Sequence, residues 1–100
     1  MTDLSALTVD DFAATVGTPY ALDVGAAGTL ALVLRSATPA AAATTGAPRE
    51  PFSLLFVGPA DPMLPQATYL LTHPELGELP VFLVPVGRDA DGARYEAVFA

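Results

Sequence analysis

The sequence predicts a mainly β protein: a small antiparallel sandwich or partly open barrel of about six strands with one short N-terminal helix. Short apolar runs with period-two alternation recur along the chain, and turns rich in proline and glycine separate them. A chain of 100 residues has room for one modest core. Residues 1–100 are therefore expected to form a single β domain.

The composition is more apolar than usual. Apolar residues make up 52% of the chain and charged residues 15%, against about 45–50% and about 25% in ordinary soluble domains. The excess is consistent with an apolar surface left over for a partner. Much of it is alanine, however, which adds little hydrophobic area, so a plain compositional bias explains it equally well.

The charge excludes several classes of function. A net charge of −7, with four arginines and no lysine, argues against nucleic-acid binding. The absence of cysteine removes disulfides, thiolate catalysis and cysteine-based zinc sites. The N-terminus lacks a basic segment followed by an apolar one, and no apolar run approaches the length of a membrane span. We expect no Sec-type signal peptide and no membrane span, and so a protein that is cytoplasmic or exported with an assembly.

The first element is a predicted helix over about residues 8–16, which Gly17 ends. Thr8 as N-cap and Asp11 at the third helical position resemble a capping box. Asp10 and Asp11 are better explained by this cap and by the positive helix start than by acid–base catalysis, because adjacent helical residues point in different directions. Four residues at helical spacing form an apolar face: Val9, Phe12, Ala13 and Val16.

The next segments predict a hairpin and a loop. Residues 20–24 and 30–35 alternate apolar and other side chains around a turn rich in glycine and alanine. Residues 38–50, which are rich in alanine, threonine and proline, lack the large apolar side chains that would bury them. They predict a mobile surface loop, and a short helix is the less favoured alternative because prolines flank the alanines.

The second half predicts four more strands. Residues 52–58 and 67–73 form two of them, and residues 94–99 form a half-exposed last strand. Between these lies the central run 79–86, which is apolar on both faces. It contains Pro80 and Pro85, which we place at the start of the strand and at a kink because proline cannot donate to a sheet ladder.

Each candidate chemical site has a simpler structural explanation. His73, the single histidine, ends a strand before Pro74, and a hydrogen bond that stabilises the turn explains it better than a metal site. Residues 89–92 fit a hairpin turn better than a calcium loop. Ser53 and Thr68 lack the sequence surroundings of a nucleophile. We therefore expect no catalytic, cofactor-binding or metal-binding residues, and no enzymatic activity.

The central run supplies the interface candidates. Alternation sends Val81, Leu83 and Pro85 to one face and the intervening apolar residues to the other. A thin domain covers one face internally, so the other must meet the N-terminal helix, a loop or a partner. The candidate interface residues are Val81, Phe82, Leu83, Val84 and Val86.

Several motifs together resemble a family of small bacterial domains of unknown function. They cover about half of the chain and read EPFSLLF at 50–56, GP at 58–59, DP at 61–62, LPQ at 64–66, HP at 73–74, LG at 76–77, FLVPV at 82–86 and YEAVF at 95–99. The resemblance implies no activity. It carries a loose association with proteins resembling phage-tail collars, which implies an accessory role in a tail-like or extracellular assembly.

The sequence thus favours a non-catalytic structural or protein-interaction module, which acts through a protein partner or through self-association. A small-molecule-binding β-barrel is the alternative, and a hydrolase is less favoured. An internal cavity of about 300 Å³ or more would favour the binder. A filled core with an apolar outer patch would favour the interaction module.

Overall fold

The computed structural model describes residues 7–25, 28–39, 51–60 and 63–99. Within these ranges the mainly β fold class with one short N-terminal helix is confirmed. The described part of the chain contains no helix with the length and apolar character that a membrane crossing needs. The elements are α1 (Val9–Ala13), β1 (Pro19–Asp23), β2 (Thr29–Pro39), β3 (Phe52–Gly58), β4 (Ala67–His73), β5 (Gly77–Asp89) and β6 (Gly92–Phe99).

The six strands form one closed antiparallel barrel in the order β1-β2-β3-β6-β5-β4. Strands β1 to β3 form one three-stranded meander, and β4 to β6 form another. The two meanders join through a long β3–β6 pairing and a short β1–β4 pairing. The chain therefore follows a simple meander within each half and crosses between the halves after β3.

Large side chains fill the barrel. Helix α1 covers one end, where the Phe12 ring lies 5.7 Å from the Phe52 ring and 5.5 Å from the Phe99 ring, measured between centroids. The Phe52 and Phe99 rings stack at 4.8 Å. The largest fully buried side chains are Phe12, Tyr20, Leu22, Leu32, Leu34, Phe52, Leu54, Phe56, Leu71, Leu79, Leu83 and Tyr95.

Helix α1 begins as predicted and ends earlier. The Asp11 carboxylate accepts hydrogen bonds from the Thr8 backbone N–H at 2.9 Å and from the Thr8 hydroxyl at 3.3 Å, which confirms the capping role of this pair. The predicted end near residue 16 was wrong, because the helix stops at Ala13. The Thr15 N–H bonds to the Phe12 carbonyl three residues back, which tightens the chain into turns.

Strand β2 is longer than predicted. Thr38 and Pro39 lie in β2, opposite Ser53 and Phe52, so the predicted loop over 38–50 starts too early. Pairing with β3 orders these two residues although their own sequence is typical of a loop. The rest of that predicted loop, residues 40–50, lies outside the described residues.

Strand β5 changes partner halfway along its length. It pairs with β4 from Gly77 to Leu83 and with β6 from Val84 to Asp89. It therefore extends beyond the predicted central run 79–86 at both ends. This long shared strand connects the β4 side of the barrel to the β6 side.

The two prolines of β5 differ from each other. Pro85 lies at a register shift between Pro85 and Gly87, so the predicted kink is confirmed. Pro80 lies inside the strand opposite Leu70 and not at its start, which corrects that prediction. Because each half of β5 pairs with one neighbouring strand, a proline is tolerated there when its missing N–H is on the other side.

Replacing Asp11 by alanine should destabilise the protein by about 0.5–2 kcal/mol, because the Thr8 N–H and hydroxyl lose their acceptor. The matched control is Asp10→Ala, which removes a neighbouring exposed carboxylate that makes no bond to Thr8. Urea unfolding of both variants measures the difference. Equal stability of the two variants would contradict the capping role of Asp11.

Candidate functional site

The outer face of β5 carries a row of exposed apolar side chains. Phe82 and Val86 are each 52% exposed, and Val84 between them is half-buried. Exposure of large apolar side chains in a row is unusual for a monomeric soluble protein and is typical of contact surfaces. These three candidates from the sequence therefore lie on the outside of the barrel.

The other two interface candidates point inward. Val81 and Leu83 are 1% and 0% exposed and belong to the core cluster with Leu79. Strand alternation alone explains the division, because adjacent side chains of β5 lie on opposite faces of the barrel wall. The structure thus removes Val81 and Leu83 from the candidate surface.

Strand β6 adds a residue that the interface prediction missed. Val98 is 70% exposed and lies on the outer face of β6, two residues beyond Glu96, which pairs with Val84. The sequence did contain a signal for this outward position, because Val98 alternates with Arg94 and Glu96 on a half-exposed strand. We call the four side chains Phe82, Val84, Val86 and Val98 the outer patch.

Acidic side chains border the outer patch. Glu78 lies at the start of β5 and Glu96 lies opposite Val84, and both are exposed. Neither forms a salt bridge with a described residue. The nearby cation Arg94 forms a salt bridge with Asp89. The patch is therefore apolar with an acidic border.

A second group of polar residues surrounds His73 at the end of β4. The His73 ring is buried, and its Nε2 atom lies 2.9 Å from the Thr18 hydroxyl. Its Nδ1 atom accepts a hydrogen bond of 3.1 Å from the Glu75 backbone N–H. The predicted turn-stabilising hydrogen bond of His73 is thus confirmed.

The donors and acceptors of this group fix the histidine tautomer. The Thr18 hydroxyl donates its proton to the Thr15 carbonyl, so it must accept from His73 Nε2. With Nδ1 already an acceptor, His73 carries its proton on Nε2. Both ring nitrogens are therefore engaged, and in this arrangement neither is available as a base for Ser53 or Thr68.

The direction of the hydrogen bond between Tyr20 and Thr15 is fixed in the same way. The Thr15 hydroxyl donates to the Phe12 carbonyl, so Tyr20 donates its phenol proton to Thr15 across 2.6 Å. Burial raises the pKa of Tyr20 above its usual value of 10.0, the Thr15 hydrogen bond lowers it, and the charge of Glu75 raises it further. The net pKa shift of Tyr20 is upward.

The segment 89–92 forms the predicted hairpin turn. The Asp91 backbone N–H bonds to the Asp89 carboxylate at 2.9 Å, and Gly92 has a φ of +133° that favours glycine. Asp89 and Asp91 pair with Arg94 and Arg35. Across the described ranges, no group of three or more histidine, cysteine, aspartate or glutamate side chains is placed to hold a metal ion.

An outer groove crosses the short seam between β1 and β4. It has a volume of about 390 Å³ and lies over the pairs that Ala21 forms with Ala31 and Thr72. Its walls include Pro19 and Pro74. Most of its lining is apolar, so the groove offers few polar groups that could orient a ligand.

The chain belongs to the family described as Domain of unknown function (DUF6916), whose model matches residues 7–99. This confirms the resemblance to a small uncharacterised domain family. No curated protein and no solved structure matches the chain.

Replacing Tyr20 by phenylalanine should change the pH dependence of stability at alkaline pH. The raised pKa of folded Tyr20 contributes stability that is fully present below about pH 10 and is lost as pH rises through the folded value. In Tyr20→Phe this alkaline loss should be smaller, while stability at neutral pH falls by about 1–3 kcal/mol because Thr15 loses a buried partner. Unfolding free energies from pH 7 to above pH 10 test this, and parallel curves would contradict it.

His73 should carry its ring proton on Nε2 in solution. Nitrogen-15 NMR correlation spectra of the ring distinguish the two tautomers directly. We expect the Nε2–H form in the wild type and a changed ring spectrum in Thr18→Val, which removes the acceptor hydroxyl and keeps a similar shape. Observation of the Nδ1–H form in the wild type would contradict the hydrogen-bond assignment.

Proposed function

We propose that this domain is a non-catalytic protein-interaction module and an accessory component of a larger assembly. It docks through the outer patch formed by Phe82, Val84, Val86 and Val98. The observation that supports this most strongly is the exposure of Phe82 and Val86 on β5, together with that of Val98 on the paired strand β6. The assembly is of a tail-like or extracellular kind, in keeping with the loose association with proteins resembling phage-tail collars.

The filled barrel supports docking over internal ligand binding. Large aromatic and leucine side chains occupy the interior, and Tyr20 packs edge-on against Phe56 with ring centroids 5.2 Å apart. A barrel that holds a small ligand keeps interior space for it. The interior does not bury the outward-facing residues of β5. Contact with a partner would bury them.

The polar residues support a non-catalytic role. His73, Thr18, Thr15 and Tyr20 donate and accept hydrogen bonds among themselves and with nearby backbone groups. A catalytic base needs a free acceptor within reach of a substrate proton. In this arrangement these groups instead connect the segment between α1 and β1 to the end of β4.

A small-molecule binder is the second candidate, and the groove of about 390 Å³ over β1 and β4 is the observation that favours it. Its volume is within the range of ligand sites. The groove is on the outside of the barrel wall, and its lining carries few polar side chains. It therefore supports binding less strongly than the outer patch supports docking.

Site-specific photo-crosslinking in the native cell tests the proposal. Benzoylphenylalanine in place of Phe82 should give a discrete protein adduct, because the patch faces the partner. The same photoreactive residue in place of Thr29, which is exposed at the groove, is the matched control and should give no such adduct. Mass spectrometry identifies the adducts.

The result that contradicts the proposal is the absence of an adduct at position 82. An adduct at position 29 alone would contradict it as well and would favour the groove. Replacement of an exposed aromatic residue by a larger aromatic should leave folding intact, which circular dichroism of the purified variant checks.

A further inference from the structure

We infer that the partner of the outer patch is a different protein whose contact surface combines apolar side chains with lysine or arginine, and not a second copy of this chain. The inference rests on the proposed function and names the chemistry of its partner. It is supported by the charge of the residues around Phe82, Val84, Val86 and Val98. An interface needs complementary charge at its border as well as apolar contact at its centre.

The border of the patch has uncompensated negative charge. Glu96 is beside Val84 in the pairing of β5 with β6, and Glu78 precedes the apolar row on β5. Both side chains are exposed and unpaired with respect to the described arginines. A partner that buries Phe82 and Val84 brings its own side chains close to Glu96, and a partner segment that follows β5 toward its start also reaches Glu78. Cationic side chains there would gain attraction, and anionic ones would be repelled.

A second copy of the chain is poorly suited to supply those cations. The sequence has no lysine and four arginines. Three of them are engaged within the protein: Arg35 with Asp91, Arg94 with Asp89, and Arg88 with the Ala60 carbonyl at 3.2 Å. The fourth, Arg49, lies outside the described residues.

The net charge of the chain also argues against a second copy as the partner. Each chain carries a net charge of −7, so two copies approaching face to face repel each other at low ionic strength. A two-fold interface uses the same surface on both subunits, so a second copy would bring an acidic border of its own and no lysine. A cationic partner is attracted by the same field.

Defined peptides test the inference in solution. The probe is a six-residue peptide that alternates valine and lysine, since outward side chains on β5 also recur every second residue. Two matched peptides isolate its parts: one alternates valine and glutamate, and the other alternates serine and lysine. Amide NMR spectra of the labelled whole chain report where each peptide binds.

We expect the valine–lysine peptide to shift the signals of the outer patch in a saturable way and to bind more tightly than either matched peptide. Glu78→Gln and Glu96→Gln should each weaken its binding about two- to fivefold, as for exposed charge pairs. Glu75→Gln, which neutralises an exposed acid in the turn before β5, should leave binding unchanged. Added salt should weaken binding in the wild type.

Three results would overturn the inference. The first is equal binding of the valine–glutamate peptide, which would leave docking intact and refute the charge requirement. The second is binding that is absent or is spread over all acidic residues. The third is a wild-type chain that sediments as a dimer and whose adduct at position 82 is a second copy of itself. This last result would support the proposed function, whereas loss of every adduct at position 82 would refute that function itself.

Discussion

Strand alternation within a closed barrel wall decides which side chains of this protein are buried and which are exposed. Strand β5 is apolar along most of its length, yet the wall separates each side chain from the next. Leu79, Val81 and Leu83 fill the interior with the aromatic residues of β1, β3 and β6. Phe82 and Val86 lie outside because they alternate along β5 with the residues that point into the interior. The exposed patch thus follows from barrel closure together with an apolar sequence at outward positions.

The hydrogen-bond chain around His73 complements this packing. Tyr20 bonds to Thr15, and Thr15 bonds to the Phe12 carbonyl, which lies in the helix that covers the barrel end. His73 bonds to Thr18 and so fastens the chain after the helix to the end of β4. The β1–β4 pairing is short, and these side-chain bonds lie close to that seam. They stabilise the closure that divides β5 into an inner and an outer face.

Local patterns in the sequence were enough to predict the helix cap, the approximate positions of the strands and the hairpin turn at 89–92. Alternation correctly placed Val81 and Leu83 on the face opposite Phe82, but it could not say which face is inside. That choice depends on barrel closure, which is a property of distant pairings such as β3 with β6. The extension of β2 through Pro39 was missed for the same reason, because the partner strand and not the local sequence orders it.

The candidate site was predictable in part. Phe82, Val84 and Val86 came from the central run, whereas Val98, although it alternates with Arg94 and Glu96, joins them only through the pairing of β5 with β6. The tautomer of His73 could not be predicted from the sequence, because Thr18 is far from His73 along the chain and only the folded structure brings the two into contact. The acidic border likewise depends on the pairing that sets Glu96 beside Val84.

Two single substitutions in β5 distinguish docking through its outer face from a wholly internal role of this strand. Phe82→Asp and Leu83→Asp place the same charge on adjacent residues of β5, and thermal unfolding with photo-crosslinking from position 98 measures stability and docking in each. We expect Phe82→Asp to keep wild-type stability and lose its partner adduct, whereas Leu83→Asp should fail to fold because a charge enters the core. Unfolding of both variants, or an undiminished adduct in Phe82→Asp, would contradict this expectation.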